Sequence, residues 1–384
     1  MKKFLDCISI VGATPSKFHG TKKYVSTGAV ATTEIDESEV VEVTYEDRPS
    51  RANLSAEAGD ILFAKMQGTR KTLLLDSETE ENIYSTGFYA VRANPEVITT
   101  ECLYYLIDSE LFLAQKDKNC SGATQKAITN GGMAKIEISV PALSEQGILV
   151  DKLKHLTQLI ADKKKQLNLF DEIIKSRFIE MFGTLSSNEQ NFEVLTIESL
   201  CSLIKDGTHQ TPTYTEDTIN GFKFLSSKDV MSTKIDWSDI KYIPSDLHEK
   251  LYAVVKPIKN DILMSKNGVN YGVAAVNDTD EVFDIYVSLA LLRPKTDIIN
   301  PVYFRSAINS PDTKRQFDSS IKGIGVPNLH LGEIKKTKIL VPPVDKQNEY
   351  VSFVEQVDKS KFEIQQSLEK LEILKKSLMQ QYFG

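Results

Sequence analysis

The sequence predicts an α/β (α+β) protein built from two similar mixed domains. They are joined by two long helices that form an antiparallel intramolecular coiled coil, with pseudo-two-fold internal symmetry. Three observations predict it: the chain matches itself at one constant offset, each half ends in a long apolar ladder of helical spacing, and both halves finish on the same dipeptide.

The repeat comes first because it decides the rest. Shifted by 201 residues, Asp60-Ile61-Leu62 falls on Asp261-Ile262-Leu263, Lys65 on Lys266, Arg92 on Arg293 and Gly122 on Gly323. Lys135, Ile138, Val140 and Pro141 fall on Lys336, Ile339, Val341 and Pro342, and Gln146 falls on Gln347. Phe182-Gly183 matches Phe383-Gly384. Near the start the register slips: Cys7 matches Cys201 at an offset of 194, which implies insertions in the second copy. Such insertions belong in loops.

Each half opens as a mixed domain. Ile61-Leu62-Phe63-Ala64 and Ile262-Leu263-Met264 follow Gly-Asp and Asn-Asp turns and read as buried strands. Ser85–Val91 and Val287–Leu292 form a second matching pair. One short helix is expected near Glu101–Lys116 and one near Pro301–Phe317.

Each half closes as a long helix. One ladder runs Leu149, Leu153, Leu156, Ile160, Lys163, Leu167, Phe170, Ile174, Arg177, Met181, and the other Tyr350, Val354, Val357, Lys361, Ile364, Leu368, Leu371, Lys375, Leu378, Tyr382. This spacing makes a coiled-coil seam. Two such stripes can pair with each other; the alternative is that each packs on its own domain. Ser144 and Asp345 are the expected N-caps, and Gly183 and Gly384 the stops. The four charged rungs are expected to snorkel outward. The expected boundaries are 1–143 for the first domain, 144–183 for the central helix, 184–344 for the second domain and 345–384 for the C-terminal helix.

Composition limits the function. A chain of 384 residues with 41% hydrophobic and 26% charged side chains is a globular protein with a real core. No apolar run is long enough for a membrane helix, and the N-terminus lacks the pattern of a signal peptide. The four cysteines form no CxxC pair, so reduced thiols and a cytoplasmic location are expected, with no membrane partner. The net charge of −7 is awkward for a nucleic-acid binder, although local surfaces can still be basic. No G-x-G-x-x-G, Walker A or G-x-S-x-G motif is present, nor the N-P-P-[FY] box of an amino-methyltransferase. One nuclease-like string, Asp312 with Glu333 and Lys335, occurs once; the shifted equivalent of Glu333 is Gly132.

Four features in order carry a resemblance. They are Gly59–Lys65 with its copy Asn260–Gly268; Gly323-Ile324-Gly325-Val326-Pro327-Asn328-Leu329 leading into Ile339–Pro343, with the weaker Gly122–Ile128 leading into Ile138–Pro141; the Gly12-Ala13-Thr14-Pro15 turn, echoed by Gly207-Thr208-His209; and the duplicated helix. Over essentially its full length the chain resembles the specificity subunit of type I restriction–modification systems. The resemblance implies two target-recognition domains, each reading one half of a bipartite, asymmetric double-stranded DNA sequence. It implies helices that set the spacing and dock two modification (methyltransferase) subunits, with restriction (translocase/nuclease) subunits joining in some complexes. S-adenosylmethionine is then expected on the modification subunits, and no cofactor or metal on this chain, which is non-catalytic. The first copy departs from the pattern by lacking the Pro-Asn pair of Pro327-Asn328.

Direct readout needs side chains that present paired donors or acceptors to base edges, while Lys, Arg, Ser and Thr suit phosphates. In the first domain the candidates are Lys65, Gln67, Thr69, Arg70 and Lys71, then Thr124, Gln125 and Lys126 beside Ser121. In the second they are Lys266, Asn267, Asn270 and Tyr271, with Lys322 and Asn328, and the Thr208-His209-Gln210 turn. Tyr271 reads equally well as a core aromatic. Two other classes of function remain to be weighed: a metal-dependent nuclease using Asp312, Glu333 and Lys335, and a protein scaffold that binds no DNA.

Overall fold

The computed structural model describes residues 1–230, 233–321 and 327–384. The chain divides into two compact units, one of residues 1–165 with 365–384 and one of residues 166–364.

The first unit is built on a four-stranded antiparallel sheet in the order Ile8–Val11, Phe88–Ala93, Ile61–Ala64, Thr72–Leu74. Ile61–Ala64 is apolar and buried at every position, as an inner strand covered on both faces must be. A second sheet runs Val41–Val43, Lys22–Val25, Ile83–Ser85, Ala52–Leu54, with the two middle strands parallel.

The second unit repeats this plan. Its main sheet runs Cys201–Asp206, Leu289–Pro294, Ile262–Ser265, Ala274–Val276. Its smaller sheet runs Lys241–Ile243, Phe222–Leu225, Phe283–Ile285, with the last two strands parallel. The early offset of 194 is visible in the ladder, where Ser9 faces Arg92 and Leu203 faces Arg293.

Each expected short helix is instead two. Thr100–Ile107 is followed by Glu110–Lys118, and Pro301–Ile308 by Pro311–Ser320. The break comes from capping: the Ser109 hydroxyl accepts from the Phe112 N–H, and Ser310 from Thr313, so each serine starts a new helix.

The long helices span Leu143–Phe182 and Val344–Phe383. Ser144 and Asp345 therefore lie inside the first turn rather than at the N-cap. A side chain one turn further in anchors each start. The buried Gln146 accepts from the Thr99 N–H at 2.8 Å and donates to the carbonyls of Val97 and Pro141, both at 3.0 Å. Gln347 does the same with the Asn300 N–H at 2.8 Å and the carbonyls of Ile298 and Pro342 at 3.1 and 2.8 Å.

Within each unit the segments of the two long helices run antiparallel and also pack on the mixed domain, so both expected modes of burial occur together. In the first unit Leu149, Val150 and Leu153 share one core with Phe4, Phe63, Met379 and Phe383, and Lys164 pairs with Glu372 at 3.1 Å. In the second, Phe178 and Phe182 pack on Tyr303 and Tyr350. There Asp171 faces Lys361 at 2.5 Å and Arg177 faces Glu349 at 3.8 Å. The Lys361 rung thus crosses the seam to a partner instead of merely reaching solvent. Among the described residues no helix is long and apolar enough to cross a membrane.

Candidate nucleic-acid interface

The strand Ile61–Ala64 turns through residues 65–71 into Thr72–Leu74. The far candidate loop, Ser121–Lys126, lies beyond the helix Glu110–Lys118. The fold ties these two segments together. The Gln67 N–H donates to the Lys126 carbonyl at 2.9 Å, and the Ile128 N–H to the Lys65 carbonyl at 2.9 Å. The second unit makes the same stitch: the Gly268 N–H donates to Pro327 at 3.1 Å, and the Leu329 N–H to Lys266 at 2.8 Å. Here the side chains join in, with the Asn267 amide donating to the Asn328 amide oxygen at 3.2 Å. Lys322, with Gly323–Val326, lies outside the described residues.

A third segment meets the second-unit hairpin. Gly207 passes so close to Ile285 that a Cβ there would sit 2.1 Å from its carbonyl oxygen, which leaves glycine alone at that position. The next residue, Thr208, exchanges backbone bonds with Ile285 and Val287 at 3.0 and 2.9 Å. Asp206 joins this turn to the hairpin, with one carboxylate oxygen 2.5 Å from the Lys266 ammonium and the other 3.6 Å from His209 Nε2.

The candidates divide by how their side chains are occupied. Thr124, Gln125, Lys126, His209, Asn270 and Asn328 are exposed, as is Gln67, whose amide donates to the Asp117 carbonyl at 3.3 Å. Asn267 and Thr208 are half-buried, and so is Thr69. Others are bound inside the fold. Lys65 donates to the Thr86 carbonyl at 2.9 Å above the Tyr89 ring, and burial pulls its pKa below the usual lysine value. Arg70 forks onto the buried Asp108 at 3.0 and 2.9 Å, which raises the guanidinium pKa. Lys71 holds the Thr27 carbonyl at 2.5 Å. Lys266 is only 5% exposed. Tyr271 is a core aromatic whose hydroxyl donates to Asp318. These five must surrender an internal bond before reaching a base or phosphate, at a cost of about 1–3 kcal/mol for each buried group left unpaired.

Sequence reasoning missed three residues here. Asp206 links turn and hairpin. Val269 stands 84% exposed at the tip of the second hairpin. Lys116 is buried beneath the first. Lys116 had one sequence signal: it stands four residues after the buried Phe112, on the inward side of its helix.

The nuclease string does not assemble. Asp312 accepts from the Leu185 N–H at 2.7 Å and from Arg315, Glu333 pairs with Lys336 at 3.3 Å, and Lys335 pairs with Glu198 at 3.1 Å. Each side chain is held by a different neighbour. Among the described residues no group of three or more His, Cys, Asp or Glu is placed to hold a metal.

Comparison with known proteins agrees with this geometry. The sequence model of the type I restriction modification DNA specificity domain matches twice, over residues 10–169 and 189–375. The type I restriction enzyme EcoBI specificity subunit of Escherichia coli is 23% identical over 270 residues, covering 64% of this chain and 56% of that relative. The match thus spans little more than half of the relative's length. A solved chain from a study of complex assembly and conformational transition in a type I R-M system superposes with a TM-score of 0.58 at 19% identity, covering 98% of this chain and 97% of that one. The S subunit of a type I restriction-modification system from M. genitalium superposes with a TM-score of 0.50 at 13% identity, covering 100% and 95%. With both copies of the domain matched in sequence and the fold matched in full, the chain belongs to the family of type I restriction–modification DNA specificity domains.

Proposed function

We propose that this chain is the sequence-reading subunit of a type I restriction–modification complex, with each unit reading one half of a bipartite double-stranded DNA target. The observation that carries the reading is the double occurrence of one construction. In each unit a hairpin is stitched to a distant loop by equivalent backbone bonds, and exposed amide, hydroxyl and amine side chains surround the stitch. These are the groups that pair with base edges and phosphates.

The long helices set the spacing of the half-sites and dock two modification subunits. Their exposed apolar side chains support docking: Leu159, Ile373 and Leu374 in the first unit, and Leu169, Ile173 and Phe362 in the second, are between 45% and 67% exposed. Large apolar side chains left exposed along a helix gain by burial against a partner. S-adenosylmethionine binds to the modification subunits, and restriction subunits complete the complex where present. The chain carries no cutting site of its own and works in the cytoplasm. With a net charge of −7, it depends on its partners for much of the phosphate-neutralising surface.

The test is selection from a pool of random duplexes by the chain assembled with its modification subunits. Enrichment of a two-part motif with a fixed gap is expected. An assembled complex that enriches nothing would leave the chain a scaffold.

A further inference from the structure

We infer that Lys116 is a positioning residue that sets the shape of the first recognition hairpin and thereby the bases the first unit selects. The inference rests on the reading just proposed and adds to it the part that determines the loop's shape.

Lys116 is 2% exposed, so its ammonium does not reach DNA directly. It donates to the carbonyls of Met66 and Thr69, both at 2.8 Å, with the Ala64 carbonyl at 3.5 Å. These three carbonyls belong to the hairpin's entrance, the residue between its two stitched ones, and its tip. One ammonium has three donors and can bind all of them at once. The hairpin loop closes on itself with the Ala64 N–H donating to the Lys71 carbonyl at 3.0 Å and the Thr69 N–H to the Met66 carbonyl at 3.3 Å. Lys116 supplies a partner to the carbonyls of Ala64 and Thr69 and a second bond to that of Met66. Asp117 stands 3.2 Å from the same ammonium and balances its charge, while its backbone carbonyl takes the Gln67 amide.

The second unit shows what replaces this clamp. Gln115 and Gln316 confirm the alignment: each accepts a backbone N–H and donates to the carbonyl of the same residue, Glu137 in one unit and Lys338 in the other. The next residue is Lys116 in the first copy and Phe317 in the second. Phe317 is 1% exposed and packs against Gly272, where a Cβ would come within 2.7 Å of the ring. The hairpin loop it supports has nine residues between the paired Met264 and Ala274, against eight between Phe63 and Thr72. The stitch is common to both units, but one loop is anchored by an ammonium and the other by an aromatic ring. A phenyl ring cannot bind carbonyls, so the support under the two readers differs at this one aligned position.

The full chain carrying Lys116→Met, assembled with its modification subunits, tests this against wild type in the random-duplex selection. Lys116→Gln, which keeps a donor, serves as the gentler variant should the first fail to fold. The expected result is about a tenfold loss of discrimination at bases of one half-site, within the range of one mismatched base pair. The other half-site, the gap and the salt dependence of binding stay as in wild type. Loss of a phosphate contact would instead weaken all sequences evenly and lower the salt slope. A folded variant with both half-site preferences intact, or with an even loss across sequences, overturns the role given to Lys116. A wild-type complex that selects no two-part motif overturns the recognition reading, and this inference with it.

Discussion

Gln146 and Gln347, 201 residues apart, make the same set of buried side-chain bonds, each tying the first turns of a long helix to the loop ahead of a short one. A duplicated sequence has kept its helix anchors in register with its strands. The paired arginines say the same: Arg92 forks onto the buried Asp60, and Arg293 onto the buried Asp261.

Gln347→Leu removes this anchor while keeping the bulk. It strands the Asn300 N–H and the carbonyls of Ile298 and Pro342, so a loss of about 2–4 kcal/mol is expected. Denaturant midpoints with the slope held constant measure it. An unchanged midpoint would mean that the helix start is held by packing alone.

Arg305 runs the other way. It is 6% exposed, its Nε has no hydrogen-bond partner among the described residues, and desolvation pulls its pKa below the usual arginine value. Replacing a buried, poorly paired cation by an apolar side chain is often neutral or stabilising. Arg305→Met is expected to leave stability unchanged or raise it by about 1–2 kcal/mol. A fall of that size in thermal unfolding would show that the guanidinium makes a stronger bond than its neighbours suggest.

The exposed loop residues should separate by chemistry. Lys126→Ala is expected to weaken binding across all sequences and to lower the salt slope by about one unit. Gln125→Ala and Asn328→Ala are expected to relax single positions of the motif, by about 1–3 kcal/mol each. Binding titrations at several salt concentrations, on matched and mismatched duplexes, distinguish the two patterns.

Burial pushes the thiols of Cys102 and Cys201 up to about 12. The thiolate is the nucleophile, and at pH 8 only roughly one such thiol in ten thousand carries the charge. Alkylation of the folded chain should therefore modify the half-buried Cys120 first, with Cys102 and Cys201 following only as their units open. Peptide mass spectrometry over time checks the order, and equal rates at all three sites would argue against the packed cores described above.

Much of this architecture was legible because its signals are periodic. The long seams and the inner strands repeat on a spacing that only one geometry satisfies, and the offset of 201 carried the landmarks from Asp60 onward from one unit to the other. The site was less legible, because it depends on where backbone carbonyls lie after folding. Nothing in the string Lys65–Lys71 says that Lys65, Arg70 and Lys71 each find a partner within the unit. Nothing near Lys116 says that a loop fifty residues earlier closes around it. The break at Ser109 and Ser310 was written in the sequence as a serine cap, and in the second copy as the following Pro311, but the apolar pattern on both sides masked it.

The central claim is that the two units read DNA independently. It is tested most directly by exchanging residues 1–143 for the corresponding domain of another specificity subunit and selecting from random duplexes with the modification subunits present. The account predicts that one half of the enriched motif changes while the other half and the gap persist; a change in both halves, or in neither, would contradict it.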